Sequence, residues 1–250
     1  MELTVIGCTG SMSGPDAPAS CYLVQHEGYS LLLDLGNGAL GTLMRFMDIT
    51  DIDAIVFSHL HGDHCLDLTS LYVARRFGGY GGRRRLPVIG PSGTAARMAR
   101  AYDMALQPGM TSEFDFVDLA SVTELGPLRV STARMAHPVP TFAVRLDHDD
   151  AALVYTGDTG PNDRLVPLAA DADVLVAEAS FVHGEDNPRD LHLTGREAGE
   201  VARDATVGQL VVTHVPPWND GHRAVAEAAE VYNGPIALAH SGLRVPVGGR

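Results

Sequence analysis

Ser58-His59-Leu60-His61-Gly62-Asp63-His64 follows the apolar run Ala54-Ile55-Val56-Phe57, which reads as a short buried strand. Three imidazoles and one carboxylate therefore crowd together at a strand end. Imidazole nitrogen and carboxylate oxygen are both good ligands for a divalent transition metal. Ionisable groups packed this closely are costly unless a charge of opposite sign holds them. The stretch reads as the heart of a metal site, and the rest of the chain must supply the remaining ligands.

Working outward, residues 3–6 read as a strand that enters the turn-rich 7–15, where glycine lets backbone approach a ligand closely. Residues 20–25 and 30–34 form a hairpin about Glu27-Gly28. Asp34 ends that hairpin and reads as a turn cap or a partner behind a ligand, not as a ligand. Apolar spacing predicts helices over 39–47, 67–76 and 93–104, the last capped by Ser92, with a strand at 86–89. Strands return over 114–155, including 128–136, 141–146 and 151–156, with an acidic turn at 147–150. A helix over 162–170 and a strand at 174–177 follow. Thr194 and Glu197 make a capping box for a helix whose inner face is Ala198, Val201, Ala202 and Ala205. A strand at 210–213 and a helix over 220–232, stopped by Asn233-Gly234-Pro235, complete the pattern. A strand-rich first half and a mixed second half, without a linker or repeat, predict an α/β protein. Its two sheets pack between helices in one domain over 1–250.

The 250 residues are 45% hydrophobic with a mean hydropathy of +0.04, which suits a soluble chain with a sizeable core. No apolar run approaches the roughly 20 residues that span a bilayer, and the first residues lack the features of a signal peptide. Cys8, Cys21 and Cys65 are too few for a disulfide framework, which predicts a reducing, cytoplasmic setting. Cys65 reads as a buried free thiol. A net charge of −13 disfavours nonspecific binding to nucleic acid or membrane. Arg75, Arg76, Arg83, Arg84 and Arg85 form either a solvated loop or a phosphate-facing rim. Trp218, the only tryptophan, either stacks on a base or packs at an interface.

The His59–His64 cluster, His137, Asp158 and His214 all stand just past strand ends, where rigid sheets position chemistry. One ion could take His59, His61 and His137, and a second Asp63, His64 and His214, with the two oxygens of Asp158 bridging them. Two ions ~3.5–4 Å apart lower the pKa of a shared water and stabilise both oxygens of a displacement. That suits a phosphodiester, whose obstacle is the negative charge around phosphorus. Of the histidines left over, His183 and His222 lie nearest these elements in sequence.

His-Leu-His-Gly-Asp-His resembles the signature of the metallo-β-lactamase superfamily. His137, Asp158 within Gly-Asp-Thr and His214 within Thr-His follow in the family's order. The resemblance covers essentially the whole chain and implies a four-layer αββα sandwich. His61 at the middle position, where the diiron oxygen reductases carry Glu, implies hydrolysis. Ala177-Glu178-Ala179-Ser180-Phe181 and His192-Leu193-Thr194 resemble motifs of the ribonuclease Z-like phosphodiesterases, which implies that His192 protonates the leaving oxygen while Glu178 orients it. Physically, a His–carboxylate pair fixes the imidazole and can supply a proton near neutral pH. Ribonuclease Z proper carries a long basic arm between its third-motif His and its bridging Asp, used to hold tRNA. Between His137 and Asp158 there is room here for only a tight hairpin. Gly7-Cys8-Thr9-Gly10-Ser11, residues 14–20, and Thr213-His214-Val215-Pro216-Pro217-Trp218 are similar to a bacterial group of cyclic-AMP phosphodiesterases.

The expectation is a dinuclear metal-dependent hydrolase that cleaves a small, cyclic-nucleotide-like phosphodiester through a metal-activated hydroxide. Asp63, His192 and Glu178 are its candidate catalytic residues. Two divalent ions are expected, zinc first, with manganese or iron(II) suiting the same donors. The rivals are tRNA 3′ endonuclease activity on RNA, ester, thioester or lactone hydrolysis, and a non-catalytic metal-binding interaction module. The resemblance also implies a homodimer, and no membrane partner is expected.

Overall fold

A computed structural model describes residues 1–80 and 84–248. Two seven-stranded sheets face each other. The first contains β1 (Glu2–Gly7), β2 (Cys21–His26), β3 (Tyr29–Leu33), β4 (Ala54–Val56), β5 (Leu86–Gly90) and β6 (Phe114–Asp118). The second contains β7 (Val122–Leu125), β8 (Leu128–Arg134), β9 (Phe142–His148), β10 (Ala151–Tyr155), β11 (Val174–Glu178), β12 (Gln209–Thr213) and β13 (Ile236–Leu238). Strand β14 (Arg244–Pro246) returns to the free edge of β1. Each sheet is antiparallel on one side and parallel on the other, with β3 to β6 parallel in the first and β10 to β13 in the second.

Alternation along the strands sorts the core into layers. Leu31 and Leu33 of β3 meet Val174 and Val176 of β11 in the space between the sheets. Leu32 points outward, beneath α1 (Ala39–Leu43), α3 (Leu68–Phe77) and α4 (Thr94–Ala101). Leu175 and Ala177 point outward on the other side, beneath α5 (Leu165–Ala169), α6 (Gly195–Asp204) and α7 (Gly221–Ala229). The result is the expected αββα order. Because the parallel strands β4 and β11 are buried on both faces, they appear in sequence as nearly unbroken apolar runs. No helix among the described residues is long and apolar enough to cross a membrane.

Several boundaries differ from those read in the sequence. Helix α1 stops at Leu43, not at 47: the N–H groups of Arg45 and Phe46 reach only three residues back, to Thr42 and Leu43, and Met44 turns to solvent. Helix α4 spans less than 93–104, and Ser92 does not cap it. Gly93 occupies the cap with φ +92°, and no side chain caps the helix. The helix expected over 162–170 begins at Leu165, because Asn162 uses its side-chain oxygen to accept from the Arg164 N–H and form a turn. Strands β13 and β14 had no forecast; three residues carry too little periodicity to show. The capping box is present: Thr194 Oγ1 accepts from the Glu197 N–H, and Glu197 accepts from the Thr194 N–H at 2.8 Å.

Helices α6 and α7 touch through small residues. A Cβ on Gly195 would stand 2.1 Å from the carbonyl oxygen of Ala224. Gly195→Ala is therefore expected to destabilise the fold by about 1–3 kcal/mol through overpacking. Thermal unfolding should show the midpoint falling by roughly 2–4 °C per kcal/mol.

Candidate metal centre

The ends of β3, β4, β10, β11 and β12 converge on one rim, and the chain places a polar group just past each. Asp34 follows β3, and Ser58 and His59 lie just past β4. The one-turn helix α2 (Gly62–Cys65) carries Asp63 and His64. Asp158 follows β10, Glu178 ends β11, and His214 follows β12. His137 comes from the connection between β8 and β9. Asp34 and His214 both have positive φ, 60° and 56°. This strained conformation turns each side chain inward at the strand end. Gly36 and Gly10 permit close backbone approaches to the ligands: a Cβ at either would fall within 2.2 Å of a carbonyl oxygen, of Asp63 and of His214 respectively.

Two groups of donor atoms result, each gathered within 4.8 Å: His59, His61, His137 and Asp158, and Asp63, His64, His214 and Asp158. In the first, His61 Nδ1 lies 3.1 Å from His59 Nε2 and 3.3 Å from His137 Nε2. His59 Nε2 is 3.6 Å from Asp158 Oδ2. In the second, the Nε2 atoms of His64 and His214 are 3.1 Å apart, and Asp158 Oδ1 is 3.2 and 3.4 Å from them. Asp63 Oδ2 is 3.2 Å from His214 and 3.4 Å from His64. Asp158 thus shows one oxygen to each group. All seven residues expected as ligands meet here.

The tautomers follow from what lies behind the rings. His64 Nδ1–H donates to Asp34 Oδ2 at 2.7 Å, and His137 Nδ1–H to the Leu191 carbonyl at 2.9 Å. Ser58 Oγ spends its proton on Asp34 Oδ2, so it accepts from His59 Nδ1–H. Ser180 Oγ donates to the His214 carbonyl and accepts from His214 Nδ1–H at 2.9 Å. The Nε2 lone pairs of His64 and His214 therefore face each other and the carboxylates, and those of His59 and His137 face His61 Nδ1. Asp158 Oδ1 is buried without a hydrogen-bond donor. Lone pairs facing each other in a dry pocket repel, and cations resolve the conflict. Fixing each ring by its far nitrogen is how proteins prepare histidine for a metal. The donor set fits two divalent ions.

The electrostatics agree. Burial, helped by neighbouring imidazoles, lowers His59, His61 and His137 below the ordinary imidazole range, so they stay in the neutral form that ligates. His64 differs: burial alone would lower it, but Asp158 and Asp34 push it above that range, so a proton occupies its Nε2 unless a cation takes that place between it and the carboxylates. Burial is likewise outweighed at Asp63 and Asp158, which nearby histidines hold below the usual carboxylate range.

Beside this cluster, His192 Nδ1 is 2.9 Å from Glu178 Oε1, and Glu178 also accepts from the backbone N–H groups of Thr159 and Ser180. The His192 ring lies 5.6 Å from both His137 and His214, with Phe181 edge-on at 5.1 Å. Burial works against charge on His192, but Glu178 raises it to about 9. His192 also lines a cavity of about 430 Å³ with Phe181, Arg189 and Glu197.

Ser58, Tyr155 and Ser180 had no assigned role in the sequence. Ser58 and Ser180 stand inside the quoted motifs, so proximity was a signal. Nothing marked Tyr155, whose hydroxyl donates to Asp34 at 2.8 Å from the opposite sheet. Asp34 is the partner behind a ligand that its position suggested, and Cys65 is a buried free thiol. His183 and His222 are exposed and belong to neither donor group.

The arginine patch does not form a free rim. Arg75 is buried against Glu113 and donates to the Arg84 carbonyl, whereas Arg84 pairs with Asp53 and Arg85 with Asp115. Carboxylates neutralise these three, Arg76 is exposed beside Phe77, and Arg83 lies outside the described residues. Trp218 is 67% exposed, so it does not pack into the core.

Comparison with known proteins supplies the family context. The family described as Beta-lactamase superfamily domain matches residues 29–215. A Mycobacterium leprae protein is 40% identical over 250 residues, covering 97% of this chain and 87% of that one. The probable metallo-hydrolase YhfI of Bacillus subtilis is 31% identical, covering 97% of this chain and 98% of its own. The crystal structure of YhfI superposes with a TM-score of 0.88 at 28% identity, covering 98% and 99% of the two chains. A ribonuclease Z of Mycobacterium sp. (strain KMS) is 33% identical, covering 99% of this chain and 96% of that one.

Ser180→Ala removes the group that holds His214 Nδ1 while leaving every donor atom in place. Chelator-competition titration with zinc should show one of two ions bound roughly 10–100-fold more weakly, with the other unchanged.

Proposed function

The chain belongs to the beta-lactamase superfamily of metallo-hydrolases, and on that premise we propose that it is a dinuclear metal-dependent phosphodiesterase acting on small, cyclic-nucleotide-like substrates. The observation that carries the reading is the His192–Glu178 pair at the edge of two donor groups sharing Asp158. Metal-centred hydrolysis alone does not call for this pair. An alkoxide leaving group does, because it departs only with a proton.

His59, His61 and His137 would hold one ion and Asp63, His64 and His214 the other, with Asp158 between. When bound, such ions supply Lewis acidity and a water acidified towards neutrality. The chain's own residues supply the rest. Asp63, held ionised by His64 and His214, is placed to orient an attacking water that a bound ion would already have acidified. As the P–O bond breaks, His192 gives its Nε2 proton to the departing oxygen. Glu178, fixed by two backbone N–H groups, keeps the ring aimed and protonated at neutral pH.

The substrate is small on this reading. The segment between His137 and Asp158 is spent on the β9–β10 hairpin, and the arm that grips tRNA in ribonuclease Z proper has no counterpart there. The neutralised arginines and the net charge of −13 also disfavour a polyanion. Zinc, a homodimer and a cytoplasmic setting belong to the same proposal.

Zinc- or manganese-loaded protein should cleave 3′,5′-cyclic AMP and leave a 3′-extended tRNA precursor intact, with cleavage lost in Asp63→Ala. Cleavage of the tRNA precursor alone would make the chain a tRNA 3′ endonuclease; cleavage of neither would favour ester or lactone hydrolysis. His192→Ala should slow cyclic AMP hydrolysis by about 10²–10⁴-fold. Hydrolysis of bis(4-nitrophenyl) phosphate, whose phenolate leaves unprotonated, should change far less. Equal losses on the two substrates would remove His192 from proton transfer.

A further inference from the structure

Next to the cluster, on the side of His61, the surface opens into a cleft of about 380 Å³ that none of the roles above uses. Its walls are Leu60, Pro91, Val139 and Pro140, with His61 at the end that adjoins the donor groups. The size falls in the range of about 300–1,000 Å³ typical of small-molecule pockets. The walls come from three connections: the one carrying the metal motif, the one entering α4, and the one following His137. The cleft therefore exists because the same strand ends that gather the metal donors also splay their loops.

Arg97, one turn into α4, is the cation of this cleft. Its Nε–H donates to the Leu60 carbonyl at 3.4 Å, which anchors the guanidinium beside the metal loop. Among the described residues no carboxylate pairs with it, in contrast to Arg75, Arg84 and Arg85. In a chain with 31 acidic residues, an unpaired, half-buried guanidinium between aliphatic walls is suited to an anion brought by a ligand.

We propose that this cleft is the subsite for the organic group of the substrate. A planar base of nucleoside size packs between Leu60 and the Val139-Pro140 segment, and Arg97 binds a phosphate oxygen at its mouth. The inference rests on the phosphodiesterase reading for the nature of the ligand. It adds a location and a selection rule: affinity comes from the group attached to phosphorus as well as from the phosphate. His137 lies between the two flanks, its ring 5.1 Å from His61 and 5.6 Å from His192. The cleft and the proton donor therefore both adjoin the first donor group, through neighbours of His137.

Calorimetric titration of the zinc-loaded protein with 5′-AMP and, separately, with inorganic phosphate tests the proposal. 5′-AMP should bind at least 10-fold more tightly than phosphate. Val139→Trp, which fills the cleft, should abolish that preference while phosphate affinity stays as it was. Arg97→Met should weaken both ligands to a similar degree and leave the preference in place, with Arg97→Lys recovering part of the loss; Val139→Ala, which removes the wall and should shrink the preference, carries the test if Val139→Trp does not fold. Equal affinities for 5′-AMP and phosphate, a preference that survives changes at Val139, or phosphate affinity unaltered by Arg97→Met, would overturn the proposal. If the preference holds but no nucleotide diester is cleaved, the phosphodiesterase reading fails and the cleft stands. If diesters are cleaved without any preference for 5′-AMP over phosphate, the cleft proposal fails and the reading stands.

Discussion

Everything at the rim of this protein depends on one electrostatic constraint: imidazole nitrogens are held face to face, at about 3.1 Å, among carboxylates that are almost wholly buried. His59, His64, His137 and His214 each have the other nitrogen committed to an acceptor or a hydroxyl, so these four rings cannot rotate away. Asp34 is central to this restraint. Its carboxylate receives hydrogen bonds from the Ser58 N–H, the Ser58 hydroxyl, His64 Nδ1–H and the Tyr155 hydroxyl, all at 2.7–2.8 Å. One buried side chain thereby fixes a ligand of each donor group, His64 directly and His59 through Ser58. The arrangement is favourable with positive charge at its centre and strained without it, which is the physical content of calling it a metal centre.

The architecture explains how the constraint can be met. Two sheets of similar plan direct the ends of their parallel strands to the same rim, so side chains from distant parts of the sequence converge there. His64 and His214 touch across 150 positions of chain, and Tyr155 reaches Asp34 across the space between the sheets. The loops past those strand ends need no regular structure of their own. They need only small residues where backbones cross, as at Gly10 and Gly36. The same splayed loops leave room for ligands on both sides of the cluster, an aliphatic cleft beside His61 and a more polar cavity beside His192.

Much of this was legible in the sequence, for physical reasons. Buried parallel strands are continuous apolar runs, and a capping box is a local pattern, so β4, β11 and the start of α6 could be read directly. The seven residues of the donor groups were readable because histidine and aspartate at strand ends are rarely there for packing. The groups behind them were harder to see. Tyr155 and Ser180 are ordinary residues whose value lies in a single hydrogen bond set by tertiary geometry. The positive φ of Asp34 and His214 is also a tertiary fact. Sequence left the arginine patch open between a solvated loop and a rim for a related reason: Glu113, Asp53 and Asp115, which pair with Arg75, Arg84 and Arg85, come from elsewhere in the chain. Short edge strands such as β13 and β14 are defined by pairing, not by pattern.

The central claim is that the two donor groups hold two divalent ions that share Asp158. Anomalous diffraction at the zinc edge, from crystals of the zinc-loaded protein, tests it most directly. Two anomalous peaks are expected, one enclosed by His59, His61 and His137 and the other by Asp63, His64 and His214, with Asp158 contacting both. A single peak, or peaks ligated by other side chains, would contradict it.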